Sequence, residues 1–143
     1  MTVIFSKKCE IGLQSVLFLS TQKEGTLFDA RKISEKVKQP KEFVSKILQI
    51  LTKSGIVGSK KGKKGGFFLS KSASEIRLIE IVIAIDGKSV FENCVLGFPG
   101  CSNEKPCPVH DEWGKLREET YKMLSKETLA DLKIKTLNKL ISL

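Results

Sequence analysis

Three of the chain's four cysteines and its only histidine fall within CVLGFPGCSNEKPCPVH, residues 94–110. Cys94, Cys101 and Cys107 are soft donors separated by six and five residues, and thiolates select zinc, copper(I) or iron–sulfur clusters over hard cations. Zinc sites commonly use cysteines about two to four residues apart, and here only Cys107 and His110 lie that close. Wider gaps let a loop wrap a body larger than one ion, so on spacing alone zinc and a cluster both stand. Gly97, Pro99, Gly100, Pro106 and Pro108 exclude a regular element and make core packing a poor explanation for the thiols. A disulfide would strand one cysteine of the three. Catalysis is not indicated. There is no C-x-x-C pair, and the lone histidine has no Ser or Cys nucleophile with an orienting acid at motif spacing. The expectation is a non-enzyme with no small-molecule substrate.

The elements that must position this loop follow from pattern and charge. A chain of 143 residues, 41% hydrophobic, supports one modest core. No apolar run is long enough to cross a bilayer, since Ile11 to Ser20 is short and carries Gln14. The N-terminus shows no cleavage site after an apolar segment, so a cytoplasmic location with reduced thiols is expected. The net charge of +9 is concentrated in the first half: residues 1–73 carry 15 basic against 5 acidic residues, 74–110 carry 3 against 5, and 111–143 carry 7 against 6. Such a field favours a polyanion, nucleic acid or an acidic membrane surface.

Periodicity places a first helix over residues 9–20, with Cys9 on its packed face. Asp29 caps a short helix with Ala30, Ile33 and Val37 inward, a tight turn follows at Lys38 and Gln39, and a longer helix carries Phe43, Val44, Ile47, Leu48 and Leu51 to a stop at Gly55. This arrangement presents a second helix to the DNA major groove. IVGSK and GFFLS flank KGKKGG as a hairpin whose tip carries Lys60, Lys61, Lys63 and Lys64, giving a winged helix-turn-helix. From Ser72, SASEIRLIEIVIAIDG is expected as one helix with Glu75 at capping-box spacing. A helix from about Val109 sets Trp113, Leu116, Thr120 and Leu124 on one face, and Ser125 is expected to cap a last helix. The apolar surface of this arm exceeds the chain left to cover it, which suggests a two-fold dimer.

In order, FSKKCEIGLQSVLFL, KISEKVKQPKEFVSKILQILTKSGIV, KKGKKGGFFLSK, SASEIRLIEIVIAIDG, the three-cysteine loop and TLADL resemble the Rrf-two family of winged-helix iron–sulfur transcriptional regulators. The resemblance covers nearly the whole chain. It implies a mainly α fold with a small β-hairpin wing: residues 1–73 as the winged helix-turn-helix, 74–92 as a connecting helix, 93–110 as the cluster-binding loop, and 111–143 as dimerisation helices. It implies a cytoplasmic homodimer on a double-stranded DNA operator, and a 2Fe-2S or 4Fe-4S cluster on Cys94, Cys101 and Cys107. The family fills the fourth place with a histidine after the third cysteine, here His110, or with an N-terminal acidic residue from the other subunit, here Glu10. His110 closes the smaller loop. Its base-reading positions correspond to Gln39, Lys41, Glu42, Ser45, Lys46 and Gln49. The first cysteine gap is one residue longer than in the family's iron–sulfur cluster regulator, and the base-reading residues differ, which leaves nuclearity and operator open.

Overall fold

A computed structural model describes residues 4–141, which form six α-helices and a two-stranded antiparallel sheet. Helix α1, Lys7–Ser20, begins two residues before the expected start because Ser6 caps it: Ser6 Oγ accepts from Cys9 N at 3.1 Å. The same serine donates its backbone N–H to Asp86 Oδ2 at 2.8 Å and its hydroxyl to Asp86 Oδ1.

Helix α2 spans Ala30–Val37, capped by Asp29 Oδ1 accepting from Lys32 N at 2.8 Å. Lys38 then turns into the left-handed region at φ 55°. Pro40 occupies the N-cap of α3, Lys41–Lys53, where its missing N–H breaks no helical bond. Gly55 at φ +83° ends α3, with Ile56 N reaching Leu51 O and Gly55 N reaching Thr52 O, both at 3.1 Å. Val44, Ile47, Leu48 and Leu51 are fully buried, and Ile11, Val16 and Ile33 meet them in the main core.

Strands β1, Val57–Lys60, and β2, Gly66–Leu69, pair from Val57 with Leu69 to Lys60 with Gly66. Gly65 is obligatory at the tip, since a Cβ there would lie 2.0 Å from the Lys60 carbonyl oxygen. Phe67 also bridges Phe28, just before α2, so the wing is tied to the entry of the helix pair.

The expected single helix after the wing is two pieces. Ser72 caps a 3-10 turn, Ala73–Glu75; Ile76 is extended, and α4 runs Leu78–Asp86, opened by Arg77 N donating to Glu80 Oε2 at 2.8 Å. Ile76 leaves the helix because it is fully buried and its carbonyl accepts from Leu129 N at 2.8 Å, at the start of the last helix. Helix α5 spans His110–Lys126 and α6 spans Leu129–Ile141. Ser125 stays inside α5. Thr128 and Asp131 cap α6 instead, Thr128 N donating to Asp131 Oδ2 at 3.0 Å and Asp131 N to Thr128 Oγ1 at 3.3 Å. Among the described residues of α5 only Leu124 is buried, while Leu116, Tyr121 and Met123 are exposed.

Candidate functional site

Residues 92–109 contain no helix or strand and run from a short 3-10 turn, Ser89–Phe91, which follows α4, to the first residue of α5. The loop folds back so that Cys94, Cys101 and Cys107, all half-buried, bring their sulfur atoms within 4.8 Å of one another. Cys94 and Cys107 are closest, at 2.9 Å between Sγ atoms. His110 Nδ1 stands 3.3 Å from Cys101 Sγ, and its Nε2 lies 2.9 Å from Asn103 Oδ1. With Nε2–H donating to Asn103, Nδ1 keeps its lone pair on the sulfur side.

The thiols share protons unequally. Cys94 is held below the ordinary thiol value chiefly by hydrogen bonding from Cys107, aided by the backbone N–H groups of Leu96 and Gly97. Cys107 is pushed up to about 11, first by its hydrogen bond to Cys94 and then by loss of solvation. One proton leaves the pair readily, the second with difficulty. Cys9 is a different thiol: fully buried on α1, it is pushed up to about 12 by burial first and by the Asp86 carboxylate second.

The donor set fits a thiolate-bound metal. A tetrahedral centre with sulfur bonds of about 2.3 Å separates its sulfurs by about 3.8 Å, which lies inside the 4.8 Å span of the three thiols and is longer than the 2.9 Å approach of Cys94 to Cys107. The cleft between the thiols is about 20 Å³ and is lined by Glu92, Cys94, Cys101, Cys107, His110, Trp113 and Arg117. As folded it admits one ion-sized body. Residues 95–100 are exposed and include Gly97 and Gly100 at φ 75° and 70°.

Glu10 sits in the first turn of α1, where it pairs with Lys7 at 3.6 Å. Its Oε2 is buried without a hydrogen-bond partner among the described residues.

The residues expected to face nucleic acid lie on the other half. Lys41, Glu42, Lys46 and Gln49 are exposed on α3, with Ser45 half-buried between them, opposite the face that buries Val44, Ile47, Leu48 and Leu51. Gln39 is half-buried in the turn. Lys60, Lys61, Lys63 and Lys64 are all exposed at the hairpin tip, and none forms an ion pair among the described residues.

Sequence reasoning missed Asn93 and the partners that hold it. Its carbonyl accepts from Trp113 Nε1 at 2.9 Å and from Arg117 Nη1 at 3.3 Å. The available signal was the spacing of Trp113 and Arg117, four apart on one helix face and so able to meet one acceptor.

Residues 5–134 match the Rrf2 family, described as an iron-dependent transcriptional regulator. A helix-turn-helix-type transcriptional regulator of Aquifex aeolicus (strain VF5) is 30% identical over 132 residues, 91% of each chain. The chain belongs to the Rrf2 family. Rrf2 proteins with the name IscR are among its relatives: that of Serratia proteamaculans (strain 568) is 34% identical over 100 residues, 70% of this chain and 60% of that one. The Rrf2 chain shares its fold with CymR (YrzC), the global cysteine regulator of B. subtilis, at a TM-score of 0.74 and 20% identity, covering 92% of this chain and 97% of that one. It is thus a winged-helix transcriptional regulator with a six-helix, one-hairpin architecture. Among the described residues no helix is long and apolar enough to cross a membrane.

Proposed function

We propose that this Rrf2 protein is a DNA-binding regulator whose operator affinity follows the state of an iron–sulfur centre on Cys94, Cys101 and Cys107, with His110 as fourth donor. The observation that carries the reading is the convergence of three sulfur atoms within 4.8 Å in a loop that runs directly into α5. The family description and the IscR relatives support iron over other soft metals. His110 is favoured over Glu10 because its Nδ1 already lies beside Cys101 and its other nitrogen is held by Asn103. Glu10 would serve only from a second subunit.

When bound, such a centre supplies reactivity toward oxidants, nitric oxide or iron loss. The chain's own residues supply the coupling. Residues 1–73 grip the operator duplex, with Gln39, Lys41, Glu42, Ser45, Lys46 and Gln49 at base edges and phosphates and the wing lysines on phosphate. Residues 74–92 connect that region to the sensing loop, 93–110, and residues 111–143 dimerise through the exposed Leu116, Tyr121 and Met123. Loop closure or opening shifts the arm, and with it the spacing of two recognition helices. The site of action is the cytoplasm.

A second reading keeps the DNA-binding half without iron. The 2.9 Å approach of Cys94 and Cys107 suits a thiol-redox switch, and three thiols within 4.8 Å beside a histidine are a donor set that zinc also accepts.

Anisotropy with duplex selected from a random library tests the proposal. Protein isolated anaerobically and the same protein stripped by chelator should differ in affinity about tenfold or more, a typical coupling size. Cys94→Ala, Cys101→Ala and Cys107→Ala should each abolish that difference. Equal affinities in both states would sink the proposal.

A further inference from the structure

Both ends of the cysteine loop are held by one helix. His110 N donates to Cys107 O at 3.1 Å at the start of α5, and Trp113 and Arg117, one turn apart, hold the carbonyl of Asn93, the residue before Cys94. Arg117 has a donor left over. Its Nε–H is buried with no hydrogen-bond partner among the described residues, and the residue lines the same cleft as the three thiols and His110. A buried, unpaired donor on a cation is costly and rare, so the acceptor it lacks is informative. Glu92 lines the cleft too, yet no ion pair joins it to Arg117 among the described residues. The three thiol sulfurs are the most numerous acceptors of that lining, and His110 Nδ1 is already directed at Cys101 Sγ, 3.3 Å away.

We propose that Arg117 is a positioning residue for the sulfur-ligated centre, its guanidinium donating an N–H to a thiolate or inorganic sulfur while Nη1 holds the Asn93 carbonyl. The inference rests on Cys94, Cys101 and Cys107 being metal ligands. Three thiolates around a metal give the cleft negative charge, which the guanidinium of the half-buried Arg117 offsets, and its planar fork can serve two acceptors at once. Hydrogen bonds to sulfur and nearby positive charge also set the reduction potential of such centres.

The test is an anaerobic cobalt(II) titration of the reduced full chain, read by thiolate-to-metal absorption. Arg117→Gln should weaken binding by about 10–100-fold, the usual effect of removing a group that supports a metal ligand. Arg117→Lys keeps the charge but cannot serve both acceptors, so it should fall between Gln and wild type; it also carries the test should the Gln variant fail to fold by circular dichroism. Trp113→Phe removes the other bond to Asn93 and should stay nearer wild type than Arg117→Gln. In iron-loaded protein, Arg117→Gln should shift the reduction potential downward. Wild-type affinity in both Arg117 variants, or an equal loss in Trp113→Phe, overturns the role of Arg117 alone. Wild-type protein giving no thiolate absorption with cobalt overturns the metal site and this inference with it.

Discussion

Replacing Lys60, Lys61, Lys63 and Lys64 together by Ala isolates the wing. All four are exposed at the tip of the β1–β2 hairpin, free of ion pairs among the described residues, and Lys60 lies opposite Gly66 where the strands end. Gly62 at φ 107° and the Gly65 N to Gly62 O bond of 3.0 Å fold the backbone into a tight turn that carries Lys61, Lys63 and Lys64, with Lys60 at its base. Each phosphate neutralised on B-DNA contributes about 0.9 to the slope of log affinity against log salt, so four contacts contribute about 3.6 per wing. Across a fourfold rise in salt, from about 50 to 200 mM, that slope alone corresponds to about a 150-fold loss of affinity. The assay is fluorescence anisotropy with a mixed-sequence duplex at several salt concentrations, comparing the quadruple variant with wild type. The substitutions leave Gly65 and the Phe28–Phe67 bridge untouched, so the hairpin should persist. A slope unchanged within about 0.5 would refute phosphate contact by the wing.

Other outcomes follow from the same geometry. Iodoacetamide on folded, metal-free protein near neutral pH should label Cys94 ahead of Cys107, whose thiol is pushed up to about 11, and spare Cys9, which is fully buried and pushed up to about 12; mass spectrometry showing rapid label on Cys9 would contradict that packing. Because the raised Cys9 value keeps the folded thiol neutral, its stabilising contribution is complete below the ordinary thiol value and is lost as pH rises toward about 12; a Cys9→Ser variant should show less of that alkaline loss in urea titrations. The Asp131 carboxyl is lowered chiefly by the Thr128 backbone N–H and then by its hydroxyl, so its contribution is present above the ordinary carboxylate value and disappears as pH falls through the lowered one. Asp131→Asn should therefore flatten the acid limb of a helicity titration. Leu129→Ala removes a fully buried side chain where α6 meets Ile76, and should cost about 2–5 kcal/mol by urea unfolding.

Much of the N-terminal half was legible because its signals are local. Asp29, the Lys38 turn, Pro40 and Gly55 each act within a few residues, and the hairpin is marked by glycines that the tip sterically requires. Ile76 was misread because what straightens it is Leu129, 53 residues away, and no helix periodicity contains that bond. Thr128 displaced Ser125 as a cap for a related reason: Asp131 answers it reciprocally, and the bridge between Arg77 and Thr128 fixes where α6 begins. The cysteine loop was legible as chemistry and as a region without regular structure. Its closure was not, since it depends on the Asn93 carbonyl meeting donors 20 and 24 residues later on α5.

The claim that the three loop thiols hold iron is tested most directly by the visible absorption spectrum of anaerobically isolated protein, with iron and sulfide counted per chain. Sulfur-to-iron charge-transfer bands should be present with both elements bound, and each of Cys94→Ala, Cys101→Ala and Cys107→Ala should remove them. Colourless protein without iron or sulfide, prepared from iron-replete cells, would contradict the claim, as would full colour in all three variants.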